Sequence, residues 1–584
     1  MKEPQLPVEH AEPPQPRQGQ GREGEQCLRF ITLGAGSRGT AYAQAVTTTT
    51  NGCIHAVADP HGFKRREFGR RFIWGDEGKP APGQEFGDWR EWVEYEISRR
   101  KRCLQTGTET AAAGGVHGVF ICTLDHTHID IVHSIARNFP DLHILCEKPL
   151  ALSLADCLSV YRSLTTGNSS SSSSSSSSTQ DARTIFSIGH VLRYSPHNNI
   201  LRRVLLHDRA IGDIVSLEHT EPVGWWHFAH SYVRGNWRRE TSNGDGSLLT
   251  KSCHDIDFIL WLLCSPSTPG TGTGTGITHH PRTITSTGTL TQFTPSNKPT
   301  PASTANATNC LSCPAEPDCL YSARKIYHDA HLSRTDPNHG WPVDVVVPDI
   351  EDVYAKSGVH AAQDYLLDRL REDYDRTTMS ETEIASRTWY GRCVYDADNS
   401  VCDDQVVTIT WDDCTLLPSS APSPTTTIPN NLHNEGEPLR PKTALFHMIA
   451  PTEKQCQRRG RIYGTRGEIS YDSQTITVHE FGVTPAMQTR TRHIEVPPTP
   501  PDEPESHGGG DYGLARGFVG AVDAVVNRGW AVQNAQLAFL GCTLEEVVRS
   551  HAVVFAAEEA RRDETVVRWR EWWKEKLATV GMVP

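Results

Sequence analysis

Short apolar runs separated by helical stretches open the patterned part of the chain. Residues 29–33 form an apolar run entering a glycine turn, and residues 54–58, 116–123 and 143–146 form three more. Between them, residues 129–137 carry apolar positions at helical spacing. This alternation predicts βαβ units and a parallel sheet. The pattern changes at Ile185. Residues 214–219 and 405–411 alternate apolar with polar side chains, as antiparallel half-exposed strands do, and residues 252–263 predict a helix. Residues 512–577 predict two or three helices. One starts at Thr543, with Glu546 three residues on, the pattern of a capping box.

Polar tracts interrupt this pattern and change the domain picture. Residues 1–26 are rich in Pro, Gln, Glu and Gly and read as a disordered tail. Residues 166–182 hold an unbroken serine run, and residues 265–308, 416–441 and 497–505 are dominated by Thr, Gly, Pro, Ser or Glu. Such tracts bury too little apolar area to offset chain entropy, so they read as disordered surface insertions. That leaves a first domain over 27–165 and a second over 183–577. Apolar residues are 37% of the 584, below the ~45–50% of ordinary globular domains, as polar inserts in a normal core require. The net charge of −13 argues against a nucleic-acid partner, which needs a basic face. No apolar run approaches the ~20 residues of a membrane span, and residues 1–5 show no secretory signal. Among the 16 cysteines, Cys122 and Cys146 sit inside apolar runs, as reduced thiols do, so a cytoplasmic location is expected.

Candidate chemistry begins at Gly34-Ala35-Gly36-Ser37-Arg38-Gly39, a GxGxxG between a predicted strand and a helix over 40–46. Gly34 permits the tight turn, Gly36 lets backbone approach a pyrophosphate, and Gly39 lets helix and strand pack. Ser37 and Arg38 open the helix, whose N-terminus faces the phosphate charge. Asp59 ends the next strand, where a carboxylate accepts from the ribose hydroxyls of NAD and repels a 2′-phosphate. Lys64, Arg65 and Arg66 follow and offset part of that repulsion. NAD or NADP is the expected cofactor, with NAD preferred.

Further motifs carry a resemblance. Residues 122–125, His128 and the stretch Cys146-Glu147-Lys148-Pro149-Leu150-Ala151 resemble the Gfo/Idh/MocA oxidoreductases, as do 189–196, 211–212, 248–257 and 464–468. The resemblance implies an α/β chain with an N-terminal Rossmann domain on a parallel sheet. An α+β domain with an open, mostly antiparallel sheet follows, and that sheet can form a homo-oligomer interface. It also implies hydride transfer between NAD(P) and a hydroxyl-bearing carbon of a sugar, polyol or related small molecule. Thr123, His128, Glu147 and Lys148 are implied at the cofactor, with Lys148 beside the nicotinamide and bonded to the reacting oxygen. A cation there stabilises alkoxide character as hydride leaves.

His254 matches the family histidine, and positions i and i+4 of a helix share a face. The family's acidic residue is replaced by Thr250, so Lys251 is the candidate charged partner and third catalytic residue. Asp257 is expected to orient groups at the substrate. Three glycines between His507 and Asp511 permit close approach of a ligand, and a similar stretch occurs in family members acting on glycosides. Arg193 and Trp226 are further candidates to line a sugar site. Cys310, Cys313 and Cys319 have zinc-like spacing at the first pair, yet three local thiols fall short of four ligands; Cys393 or a histidine would have to come from elsewhere. No metal is expected. Two rival readings remain: a glycoside-cleaving enzyme using NAD in transient oxidation, and a catalytically silent NAD(P)-binding regulator.

Overall fold

The computed structural model describes residues 26–106, 114–165, 183–264 (except 242 and 245), 278–413, 440–500 (except 484, 485 and 499) and 506–582. Its first sheet is built from β1 (Leu28–Leu33), β2 (Gly52–Ala58), β3 (Glu85–Phe86), β4 (Gly118–Ile121), β5 (His143–Cys146) and β6 (Phe186–Ile188), in the order β3-β2-β1-β4-β5-β6. All five pairings are parallel. Strands covered on both faces must be apolar throughout, and β4 and β5 are buried at every position. The strand order reverses between β1 and β4, so the crevice at their carboxyl ends is the expected place for a ligand. Helix α1 (Ser37–Thr49) leaves from this point.

The second sheet contains β7 (Ile214–Pro222), β8 (Thr283–Thr289), β9 (Asp404–Trp411), β10 (Lys442–Ile449), β11 (Arg459–Gly464), β12 (Gly467–Tyr471), β13 (Ile476–Glu480), β14 (Arg490–Ile494) and β15 (Val567–Arg568). Their order is β14-β13-β12-β11-β7-β10-β9-β8-β15, antiparallel except for β7 beside β10. In β9 buried and half-buried residues alternate strictly, as the sequence predicts for a sheet with one covered face. The cover includes helices α2 (Cys253–Leu263) and α4 (Leu544–Arg562). Thr543 caps α4 in the capping box that its sequence predicts: its side chain accepts from the Glu546 amide, and Glu546 accepts from the Thr543 amide.

Three boundaries differ from the sequence reading. Strand β6 lies beyond residue 183, where the second domain was expected to begin, yet it extends the first sheet. Helix α3 (Gly510–Val526), expected in the second domain, also packs on the first sheet. Phe518 lies 5.9 Å from Phe30 and 5.3 Å from Phe120, ring to ring. Apolar spacing shows that a helix has a buried face, not which sheet receives it. Finally, the tract 265–308 is not an insertion throughout. Strand β8 pairs with β9 over seven residues, because its β-branched Thr and Ile side chains suit a pleated surface despite loop-like composition. The tracts 1–26, 166–182, 416–441 and 497–505 fall wholly or mostly outside the described residues.

Residues between β8 and β9 form a core of their own, with Tyr327, Val346, Ile350, Leu366 and Leu370 buried together. Residues 390–395 are turns with one isolated bridge, Asn309 to Arg392.

Candidate active site

The glycine loop joins β1 to α1 at the carboxyl edge of the parallel sheet. Gly34 has φ +98°, and a Cβ there would stand 2.4 Å from the Cys122 carbonyl oxygen. A Cβ on Gly39 would stand 2.0 Å from the Gly34 oxygen, whereas one on Gly36 would meet nothing within 4 Å. Gly36 is also the residue before the first turn of α1, which no side chain caps. Open space beside uncapped amides fits a dinucleotide's phosphates. Ser37 is exposed at this turn. Asp59 ends β2, and its carboxylate accepts from the amides of Ala35 and His61, both at 2.7 Å.

Four expected cofactor contacts are otherwise engaged. The Arg38 guanidinium turns inward, donating to Glu147 at 2.9 Å and in bidentate fashion to Asp511 at 2.9 Å. The Tyr42 hydroxyl donates to Glu147 at 2.6 Å. Burial pushes the Glu147 carboxyl up, but Arg38 outweighs it and holds the group below its ordinary value. Glu147 is thus a strut between β5 and α1. His128 is buried with its ring nitrogens 2.8 and 3.1 Å from the carbonyls of Pro149 and Thr123, bracing those segments rather than facing a ligand. Thr123 Oγ1 accepts from Thr127 at 2.7 Å.

Lys148 follows β5 and is half-buried, with Nζ donating to the Thr250 carbonyl at 2.5 Å. Thr250 thus holds the ammonium through its backbone carbonyl. His254 lies four residues on. It is buried, and its Nδ1 has no partner among the described residues. Burial, then the charge of Lys148, pushes its imidazole well below the ordinary histidine range. Both effects disfavour the charged ring, so His254 is neutral at neutral pH. Two further imidazoles flank it: His190 at 5.9 Å and His507 at 6.2 Å between ring centroids.

Other candidates are corrected. The expected single helix through Thr250 and His254 is broken into a short helix Ser247–Thr250 and α2. Lys251 therefore leaves the His254 face. Its Nζ stands 3.3 Å from Glu221 and 2.9 Å from Cys456 Sγ. Arg193 and Asp257 do not face a substrate: both are buried and form a bidentate pair at 2.7 and 2.8 Å, with Ser550 also donating to Asp257. Asp511 is buried beneath His507, whose Nδ1 lies 3.2 Å from it. His507 itself is exposed. Trp226 stands 5.1 Å from Trp341, ring to ring, in an aromatic group on the second domain. His190 and Tyr42 were missed as site residues. The first lies inside a motif already singled out, and the second lies one helical turn after Arg38.

The comparisons bear on this geometry directly. Residues 28–169 match the model of an oxidoreductase family with an NAD-binding Rossmann fold. The model is that of the Gfo/Idh/MocA family, and these residues are similar to it. The match supports NAD-type dinucleotide binding at the loop that the family model spans. Among curated proteins, 2,7-anhydro-N-acetylneuraminate hydratase of Escherichia coli (strain K12) is 25% identical over 169 residues, covering 29% of this chain and 39% of that protein. The protein of the same name from Mediterraneibacter gnavus is 24% identical over 164 residues, covering 28% and 38%. The matched part of the chain thus spans about two fifths of these curated relatives' length. Among solved structures, levoglucosan dehydrogenase in complex with NADH and levoglucosan has TM-score 0.50 and 14% identity, covering 93% of this chain and 99% of that one. This likeness shows the two-sheet fold across the chain. No described helix is long and apolar enough to cross a membrane.

Proposed function

We propose that the chain is an NAD(P)-dependent oxidoreductase acting on a hydroxyl-bearing carbon of a sugar, polyol or related small molecule. The observation that carries this reading is the pairing of Lys148, held by the Thr250 carbonyl, with a buried, neutral His254 whose Nδ1 is free of partners among the described residues. Bound NAD(P) supplies the hydride acceptor or donor at its nicotinamide. The chain does the rest. The uncapped turn of α1 and the open face of Gly36 hold the phosphates, and Asp59 retains acceptor capacity for ribose hydroxyls. Arg65 is tied to Glu85 and to the Asp59 carbonyl at 2.8 and 2.6 Å, and Lys64 lies 3.8 Å from Asp344. Two of the three cations near Asp59 are thus already engaged, which favours NAD over NADP. The Lys148 ammonium stabilises negative charge on the substrate oxygen, and His254 takes the hydroxyl proton at Nδ1.

His507 gives a reason for a second reading. Its ring is 6.2 Å from that of His254, so two imidazoles stand near one another, as acid and base do in elimination and addition at a glycosidic carbon. The hydratase name of the curated relatives fits this reading, in which the cofactor is restored each turn.

The test follows reduced nicotinamide by absorbance, with NAD or NADP and a panel of polyols and sugars. Wild type should form reduced cofactor, and Lys148→Met should lose on the order of a hundredfold in kcat/KM with cofactor binding by calorimetry unchanged. Product from a glycoside or anhydrosugar without net reduction moves the assignment to the second reading. Absence of cofactor binding sinks both.

A further inference from the structure

Between β8 and β9, away from the glycine loop, three cysteines close in sequence and a fourth far from them border one small cavity. Cys310, Cys313, Cys319 and Cys393 line a space of about 20 Å³, the size of a single ion or water. Backbone bonds fix their positions. The Cys310 amide donates to the Gly391 carbonyl at 2.9 Å and the Cys393 amide to Thr308 at 2.8 Å, on either side of the Asn309–Arg392 bridge. The Cys313 amide turns back to the Cys310 carbonyl at 3.2 Å, closing the C-x₂-C turn. All four thiols are free.

The second observation is Arg234. It borders the same cavity and is 1% exposed. Its Nε donates to the Arg392 carbonyl, and Nη2 donates to the Tyr321 carbonyl at 2.8 Å and to Cys310 Sγ at 3.3 Å. Nη1 has no partner, and no carboxylate pairs with this guanidinium among the described residues. Glu316, whose carboxylate also borders the cavity, accepts instead from Ser322 Oγ at 2.5 Å. A buried cation without an anion costs several kcal/mol, so the site needs negative charge.

We propose that Cys310, Cys313, Cys319 and Cys393 bind a thiophilic divalent metal ion, of the class that includes zinc and ferrous iron, as a structural tetrathiolate site whose charge Arg234 balances. Binding converts four thiols and one M²⁺ into [M(S-Cys)₄]²⁻ and releases four protons. The product carries two negative charges, one of which Arg234 offsets. The spacing supplies a C-x₂-C pair and a third thiol, and the fold brings the fourth from 74 residues beyond Cys319. Among the described residues no three His, Cys, Asp or Glu side chains are already gathered around one point. Binding would draw the sulfurs from the cavity wall onto one centre. The site's role is to close the core around Tyr327, Ile350 and Leu366, which borders the aromatic group at Trp226.

The test uses the untagged full-length chain, purified from cells supplied with zinc and iron, and elemental analysis. The expected result is about one zinc or iron per chain, released as four thiols are titrated by a mercurial. X-ray absorption at the metal should show a sulfur-only shell, at about 2.3 Å for zinc. Cys313→Ser, at a half-exposed position, should lower metal content severalfold, whereas Cys103→Ser, outside the cluster, should not. Because buried Cys393→Ser risks misfolding, the wild-type sulfur shell decides independently of it. Less than about a tenth of an equivalent of metal, a shell containing nitrogen or oxygen, or a disulfide within the cluster in freshly isolated protein would overturn the proposal.

Discussion

Three glycines in one turn do three different jobs. A side chain on Gly34 or Gly39 would collide with backbone oxygen, whereas one on Gly36 would enter open space. Gly36→Val is therefore expected to leave the melting temperature within about 2 °C of wild type and to weaken NADH binding on the order of tenfold or more. Gly34→Val should lose both, since φ +98° and the Cys122 carbonyl forbid its side chain. Calorimetry with thermal melting separates the two outcomes; equal effects would mean that the loop serves packing alone. The same scale explains which site residues the sequence could reveal. Lys148 and His254 sit in motifs whose neighbours fix their direction. Arg193 and Asp257 sit in similar motifs but spend their charges on one another, and Glu147 and Asp511 spend theirs on Arg38. A sequence lists charges, and only the fold pairs them.

Elements meet at Arg38. Its guanidinium ties the first turn of α1 to Glu147 at the end of β5 and to Asp511 at the start of α3. Arg holds all three because its fork reaches two carboxylates at once. Arg38→Met would leave two buried carboxylates without their cation, at a cost of about 3–5 kcal/mol in urea unfolding. Arg38→Lys should recover only part of this, because one ammonium cannot form the bidentate contact. A loss below about 1 kcal/mol would show that the network is solvated. Elements also differ in how legible they are. The box at Thr543 and Glu546 is local, so four residues announce it. Strand β6 has three residues, and nothing local in them says that their partner is β5.

At the scale of the whole molecule, buried histidines set the response to acid. Burial lowers His143 to about 4 and both His190 and His230 to about 3, against ~6.5 unfolded. Each binds its proton more readily when unfolded, so the stability it contributes is complete above pH 6.5 and is lost as pH falls toward its folded value. The loss is about 1.4 kcal/mol per pH unit for each such group. Asp255, Asp257 and Asp511 are shifted below the carboxylate range by Arg458, Arg193 and Arg38, against their burial, so they add no change in this window. The melting temperature should fall steadily from pH 7 to pH 5. A flat profile by calorimetry would contradict neutral buried imidazoles.

The sequence by itself determined the parallel sheet, the turn at Gly34 to Gly39 and the position of Lys148, because each depends on residues a few places apart. The tertiary structure decided what depends on distance. It returned α3 to the first sheet, placed β8 inside the second, turned Lys251 toward Glu221, and brought Cys393 to the cavity of Cys310. In each case the deciding energy is burial or charge pairing between segments far apart in the chain. No local pattern encodes that energy until the chain has folded.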